Sequence, residues 1–353
     1  MRRGYLLVMI AALLVSLTGG PVSGQGRVEL TGAGATFPFP LYSKWFDVYA
    51  QEKGVRINYQ SIGSGGGIRQ VVEGTVDFGA SDGPMTDEQL AGARRKILHI
   101  PTVAGAEAII YNLDGVPTGM RLTGEVLADM FLGKITQWND PRLVALNPSL
   151  RLPNAPILIA HRSDGSGTTT IFTNYLNKVS PAWKRQVGEG TSVNWPVGVG
   201  GKGNEGVAGI VKQQNGAIGY VELAYALQNH MTSAVMRNRA GTFVAPSLSA
   251  TTAAVAAYAK QIPPDYRIFI TNAPSAQAYP ITGFTWLLVY QDQQDRAKGE
   301  ALARFMWWAI HDGQRYAAPL LYAPLPKELV QRVERTLQSI TFKDQPILTS
   351  SGQ

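Results

Sequence analysis

The sequence contains no cysteine. That excludes disulfides, thiolate metal sites, a cysteine nucleophile and a lipid-modified N-terminal cysteine, and it leaves the redox compartment open. Histidine is scarce, and His99, His161, His230 and His311 are scattered without a metal-ligand spacing. Charged residues make up only 16% of the chain, and there is no long charge run, fixed-period repeat or low-complexity tract. A basic stripe with interleaved aromatics, the footprint of a nucleic-acid binder, is also missing. Past the N-terminus no run approaches the roughly 20 apolar residues of a membrane span.

The composition is that of an ordinary globular protein. With 353 residues, 45% of them hydrophobic, the chain can bury a large core without metal or disulfide staples. Its length fits two domains. The 38 glycines and 21 prolines imply many turns rather than a helical bundle, and the formal charge of +7 mildly favours anionic partners.

Arg2 and Arg3 precede an almost unbroken apolar run, Tyr5 to Leu17, which is followed by small and turn residues from Thr18 to Gly24. This is the pattern of a secretory signal peptide, expected to be cut after Gly24. Such a cut removes both arginines and no acid, so the charge falls from +7 to +5. The expected product is an exported soluble protein without a lipid anchor, free in the periplasm.

Helical and strand patterns alternate along the rest of the chain. Helical spacing marks 40–53, 126–131, 168–177 and 292–310. Strand patterns mark 55–61, 76–81, 156–162, 217–223 and 285–291. The stretch 97–112 is long, apolar and extended, and can pass from one domain to another. Thr86 and Gln89 form a capping-box pattern. Alternation of this kind argues for open α/β sheets, whose ligands sit beyond the carboxyl ends of the strands.

Three loops share one chemistry. Gly32-Ala-Gly-Ala-Thr-Phe37, Gly63-Ser-Gly-Gly-Gly67 and His161-Arg-Ser-Asp-Gly-Ser-Gly-Thr168 each put glycines, hydroxyls or both just before a helix. Helix N-termini bind anions, glycine allows close backbone approach, and hydroxyls donate to anion oxygens. Arg162 adds a charged fork of donors. Plain helix capping explains any one loop equally well. Asp82 reads first as a turn residue before Pro84, and Asp164 as a surface partner for Arg162. Gly198–Gly203 fits a dinucleotide fingerprint, yet no clear strand leads into it, so it reads as a glycine loop. No nucleophile elbow occurs, because Asp164 stands where its first glycine belongs.

In order and separation, Thr31–Pro40, Ile62–Gly67, Val76–Asp82 and Arg162–Thr168 together resemble the periplasmic phosphate-binding proteins of high-affinity phosphate ABC importers, the PstS family. Asn204–Ala208 and Ala217–Glu222 carry the same resemblance, which covers nearly all of the mature chain. It implies a type II periplasmic-binding-protein-like α/β fold, with two lobes around a cleft joined by crossing strands. Residues 25–107 with 281–353 would form one lobe and 108–280 the other. Carried over by motif, the phosphate ligands are Thr36, Phe37 through its backbone N–H, Ser64, Asp82, Arg162, Ser166, Gly167 and Thr168. Asp164 would hold Arg162 in place. Gly65 stands where many members have a serine, and Gly83 where alanine is usual. The resemblance implies inorganic phosphate and an inner-membrane ABC permease as partners, a monomer, no cofactor, no metal and no catalysis.

Asp82 beside an anion makes sense once protons are counted. Phosphate ionises a second time near neutrality and still carries a proton, as phosphomonoesters do near about 6. A carboxylate accepts that proton in a hydrogen bond and repels sulfate, which has none. Two alternatives remain at this stage: a receptor for another oxyanion such as molybdate or sulfate, and an exported phosphatase using Ser64 or Ser166. A structural or adhesive surface protein would need no buried anion site.

Overall fold

The computed structural model describes residues 28–348. The expected signal peptide lies outside them. The main sheet contains β1 (Glu29–Gly34), β2 (Arg56–Ser61), β3 (Phe78–Ser81) and β4 (Ile97–Asn112). A small three-stranded sheet holds β5 (Arg121–Leu122). The main sheet continues with β6 (Leu158–Arg162), β7 (Val199–Gly201), β8 (Ala217–Glu222) and β9 (Thr232–Ser233). After β10 (Val235–Arg237) and β11 (Phe243–Val244), which join β5, it is completed by β12 (Thr282–Tyr290). The order is β2-β1-β3-β12-β4-β8-β6-β7, with β9 also on β4.

β4 organises the molecule. Residues Ile97 to Ala106 pair antiparallel with β12, and Glu107 to Asn112 pair antiparallel with β8. One strand therefore carries the chain from a half built on β1, β2 and β3 to a half built on β6, β7 and β8. Helices cover both halves, and β4 is buried along nearly its whole length, which is why its sequence reads as continuous and apolar rather than alternating. The 97–112 expectation matches its bounds. Pro101 has no N–H for the ladder, and the β4–β12 register slips beside it, between Thr285 and Trp286.

Helix Phe39–Lys53 lays Trp45, Phe46 and Tyr49 against Phe305 and Trp308 of helix Arg296–Ile310. Trp308 is core, whereas Trp307 is half-buried and stacks on His311. The expected capping box is present, with Thr86 bonded to the N–H of Gln89 and Gln89 bonded back. Gly198–Gly203 differs from its reading as a loop. A short strand, β7, runs through it and pairs parallel with β6 before helix Gly203–Gln213. That strand exists through its partner, because Val-Gly-Gly has no pattern of its own. No helix of the described residues is long and apolar enough to cross a membrane.

Candidate functional site

Each motif residue stands where a parallel strand gives way to a helix. Thr36 and Phe37 leave β1 just before helix Phe39–Lys53. Ser64 opens helix Ser64–Glu73, after Gly63 at φ +89°, a backbone conformation suited to glycine. Asp82 follows β3, and Arg162 ends β6. Ser166 caps helix Gly167–Val179, whose first two residues are Gly167 and Thr168. These are the carboxyl ends of β1, β2, β3 and β6, with several helix N-termini gathered around them.

The hydrogen bonds draw these residues into one buried cluster. Asp82 is 1% exposed, its N–H donates to Ser64 Oγ at 3.2 Å, and Ser64 donates to Oδ2 at 3.3 Å. Thr285 of β12 donates to Oδ1 at 2.8 Å. Gly167 lies so close that a Cβ there would stand 2.4 Å from Ser64 Oγ and 2.6 Å from Asp82 Oδ2. The Gly65 N–H donates to the Gly165 carbonyl at 2.9 Å, joining the second and third loops directly. Ser166 Oγ accepts the Thr169 N–H as a cap and keeps its own hydrogen for another acceptor. Phe37 is fully buried, and its carbonyl accepts from Tyr322 at 2.7 Å.

Arg162 is held as expected. Its Nε and Nη2 donate to the two oxygens of Asp164 at 2.8 and 2.5 Å, and Nη1 donates to Thr168 Oγ1 at 3.3 Å. Three of the five N–H donors of a guanidinium are thereby committed, leaving two. Asp164 Oδ1 also accepts the Gly203 N–H at 3.0 Å, so the carboxylate ties the arginine to a further helix start. Burial alone would raise the Asp164 carboxyl, but the Arg162 fork outweighs it and holds the group below the usual range.

Asp82 behaves differently. Burial pushes its carboxyl up to about 7, against the opposing pull of the Thr285 hydrogen bond, the Arg162 charge and the Ser64 hydrogen bond. The site therefore contains one group that exchanges a proton near neutrality, among groups that mainly donate. Neither serine has a histidine partner. His99 accepts from the Met85 N–H, His161 bonds the Arg162 carbonyl, and His311 bonds Glu334.

Residues 18–312 match the PBP superfamily domain. The phosphate-binding protein PstS of Xylella fastidiosa strain 9a5c is 49% identical over 308 residues, covering 87% of this chain and 84% of that one. The chain belongs to the PstS family. PstS of Haemophilus influenzae is 47% identical, with 90% and 95% of the two chains covered. PstS of Methanocaldococcus jannaschii is 36% identical, with 93% and 92% covered. Among solved structures, the phosphate-bound periplasmic protein PfluDING superposes with a TM-score of 0.69 at 22% identity, covering 87% of this chain and 93% of that one. A phosphate-binding protein from Stenotrophomonas maltophilia gives 0.67 at 21%, covering 88% and 94%. At such identities the likeness concerns the fold, which is the two-lobed PBP-like α/β architecture.

Around the motif residues of this PstS chain lies a set that motif reading missed. Asn204 donates to both Thr36 and Thr168. Tyr225 donates to the Thr36 carbonyl at 2.6 Å, and Thr285 fixes Asp82. Glu107 and Glu222 face each other in the β4–β8 register, both fully buried, and burial drives both carboxyls well above the usual range. The Tyr322 hydroxyl lies 2.7 Å from the Phe37 carbonyl and 3.0 Å from Glu222 Oε2. The phenolic hydrogen is shared between these two oxygens, and Glu222 Oε2 also accepts the Ala224 N–H at 2.8 Å. The only signal for any of these was the resemblance of Asn204–Ala208 and Ala217–Glu222, which carried no role.

Proposed function

We propose that this protein is the periplasmic receptor that captures inorganic phosphate between its lobes and delivers it to an inner-membrane ABC permease. The observation that carries this reading is the buried Asp82 among donors. A ring of hydroxyls, backbone N–H groups and Arg162 suits an oxyanion, and one carboxyl among them suits an oxyanion that still holds a proton. The ligands are then Thr36, Phe37, Ser64, Asp82, Arg162, Ser166, Gly167 and Thr168. Hydrogen bonds to a charged group contribute about 1.5–3 kcal/mol each, so several of them exceed the roughly 8 kcal/mol of micromolar binding with a margin for association costs.

The lobes are taken as 25–107 with 281–353, and 108–280. The change of partner along β4, from β12 at Ala106 to β8 at Glu107, supports that division. A ligand touching Thr36, Ser64 and Asp82 on one side and Arg162 to Thr168 on the other favours closure, and the closed form is what the permease would recognise. The role is read as binding rather than catalysis: among the described residues neither Ser64 nor Ser166 has a histidine partner, and Asp82, the one carboxyl that Ser64 meets, also accepts from Thr285.

The test is calorimetry on mature protein stripped of anion by unfolding and refolding. One-to-one phosphate binding at micromolar affinity or better, with no heat from millimolar sulfate, is the expected result. A folded sample that takes up no phosphate would refute the proposal.

A further inference from the structure

The two threonines among the proposed ligands are ambivalent groups. A hydroxyl has one hydrogen to donate and two lone pairs that accept, and an anion is served only by the hydrogen. The surroundings of Thr36 and Thr168 remove the ambivalence. Thr36 Oγ1 accepts from the Asn204 backbone N–H at 3.2 Å and from Asn204 Nδ2 at 2.7 Å. Thr168 Oγ1 accepts from the same Nδ2 at 3.1 Å and from Arg162 Nη1 at 3.3 Å. Both lone pairs of each oxygen are thereby engaged. Among the described residues neither hydroxyl donates to a protein acceptor, so the hydrogens remain for a ligand.

The amide that does this cannot turn round. The backbone N–H of Glu222 donates to Asn204 Oδ1 at 2.8 Å. A backbone N–H can only donate, so the amide oxygen belongs there and the NH2 belongs on the threonine side. Asn204 is fully buried, which makes an unmatched amide costly and holds the orientation.

We infer that Asn204 is a positioning residue that acts through Thr36 and Thr168, turning both hydroxyls into dedicated donors from opposite sides of the cleft. This rests on the phosphate-receptor reading and adds to it a reason for selectivity. With both threonine oxygens saturated, neither can accept a proton from the ligand, and Asp82 stands as the acceptor.

The test is a double-mutant cycle read by calorimetry with inorganic phosphate. Asn204→Leu removes the amide at nearly constant size. It is made in the wild-type background and in a Thr36→Val, Thr168→Val background, where there is no hydroxyl left to orient. The expected result is a loss of about tenfold or more in the first background and less than about threefold in the second. Equal losses in both would reduce Asn204 to a structural part and overturn the inference, as would no loss in the first. Wild-type protein that takes no phosphate sinks the receptor reading, and the inference with it. If Asn204→Leu does not fold, the wild-type chain still decides. With phosphate bound, the hydroxyl protons of Thr36 and Thr168 should show scalar coupling to 31P. Couplings from backbone N–H groups without those of the two hydroxyls would overturn the inference.

Discussion

Replacing Asp82 by asparagine exchanges one buried carboxylate oxygen for an NH2 group. Which oxygen is exchanged follows from the geometry. Thr285 donates to Oδ1 at 2.8 Å and Ser64 to Oδ2 at 3.3 Å, so the shorter bond keeps the amide oxygen beside Thr285. The NH2 then takes the place of Oδ2, next to Ser64 and Gly167, and Ser64 accepts from it and frees its own hydrogen. Phosphate loses the acceptor for its proton, a charge-assisted bond of about 1.5–3 kcal/mol. Sulfate loses a repulsive carboxylate and gains a donor, a change of similar size in the opposite direction. The phosphate-over-sulfate ratio should therefore shrink by about two to four decades. Competition calorimetry at about pH 8.5 reads it directly, because the wild-type carboxyl, at about 7, is mostly ionised there. An unchanged ratio would refute the assignment of Asp82 as the proton reader. The same substitution tests the raised carboxyl without ligand. The folded chain holds the Asp82 proton to higher pH than the unfolded chain, so its contribution to stability is fully present below about 4 and lost as pH rises through about 7. Relative to Asp82→Asn, ligand-free wild type should lose about 4 kcal/mol across that interval in urea unfolding. A difference flat with pH would show that the carboxyl is not perturbed.

Three further outcomes are expected. Gly167→Ala puts a methyl group 2.4 Å from Ser64 Oγ, which should weaken phosphate binding by one to two decades, the about 1–3 kcal/mol of an overpacked contact, and leave small-angle scattering in the open form at ligand levels that close the wild type. Full closure at wild-type affinity would disprove the close approach. Asp164→Asn leaves the buried Arg162 guanidinium without its counter-charge and should cost about 3 kcal/mol in urea unfolding, near the lower end for a broken buried pair because the amide still accepts one bond; a change under about 0.5 kcal/mol would contradict this. Glu107→Gln should gain stability over wild type steadily as pH climbs past about 4.5, since the raised Glu107 carboxyl holds its proton only when folded; parallel stability curves for the two chains would count against that.

The sequence was legible where structure is local. The β4 strand could be bounded by eye because a strand buried on both faces is a continuous apolar run. The Thr86 capping box spans three residues and survives intact in the fold. The glycine and hydroxyl loops announced themselves because a helix start and its cap lie side by side in the chain. The missed groups act over long separations: 168 residues between Asn204 and Thr36, 203 between Thr285 and Asp82, and 285 between Tyr322 and Phe37. Thr285 pairs beside a register slip in which Thr102 of β4 is passed over, next to Pro101, and such irregularities re-aim side chains. No property of either segment alone foretells the contact.

The division between legible and hidden residues follows the division of labour in the site. The groups proposed to touch the anion, donors and Asp82 alike, sit on turns that end strands, so they are contiguous and leave motifs. Groups that decide where each proton lies need only reach those donors from behind, and any part of the chain can supply them. Net charge does little of this work. Arg162 is matched by Asp164, Asp82 exchanges its proton near neutrality, and burial pushes the Glu107 and Glu222 carboxyls well above the usual range. The +7 of the whole chain draws anions in general, with no preference among them. On the proposed reading, preference arises inside, where a cluster of oriented donors around Asp82 selects a ligand by the number and placement of its protons. A strongly cationic pocket would hold sulfate as well as phosphate. On the proposed reading, a nearly neutral pocket with Asp82 among its donors disfavours sulfate, and Asn204, Thr285 and Tyr322 then take part in recognition from behind the residues that meet the ligand.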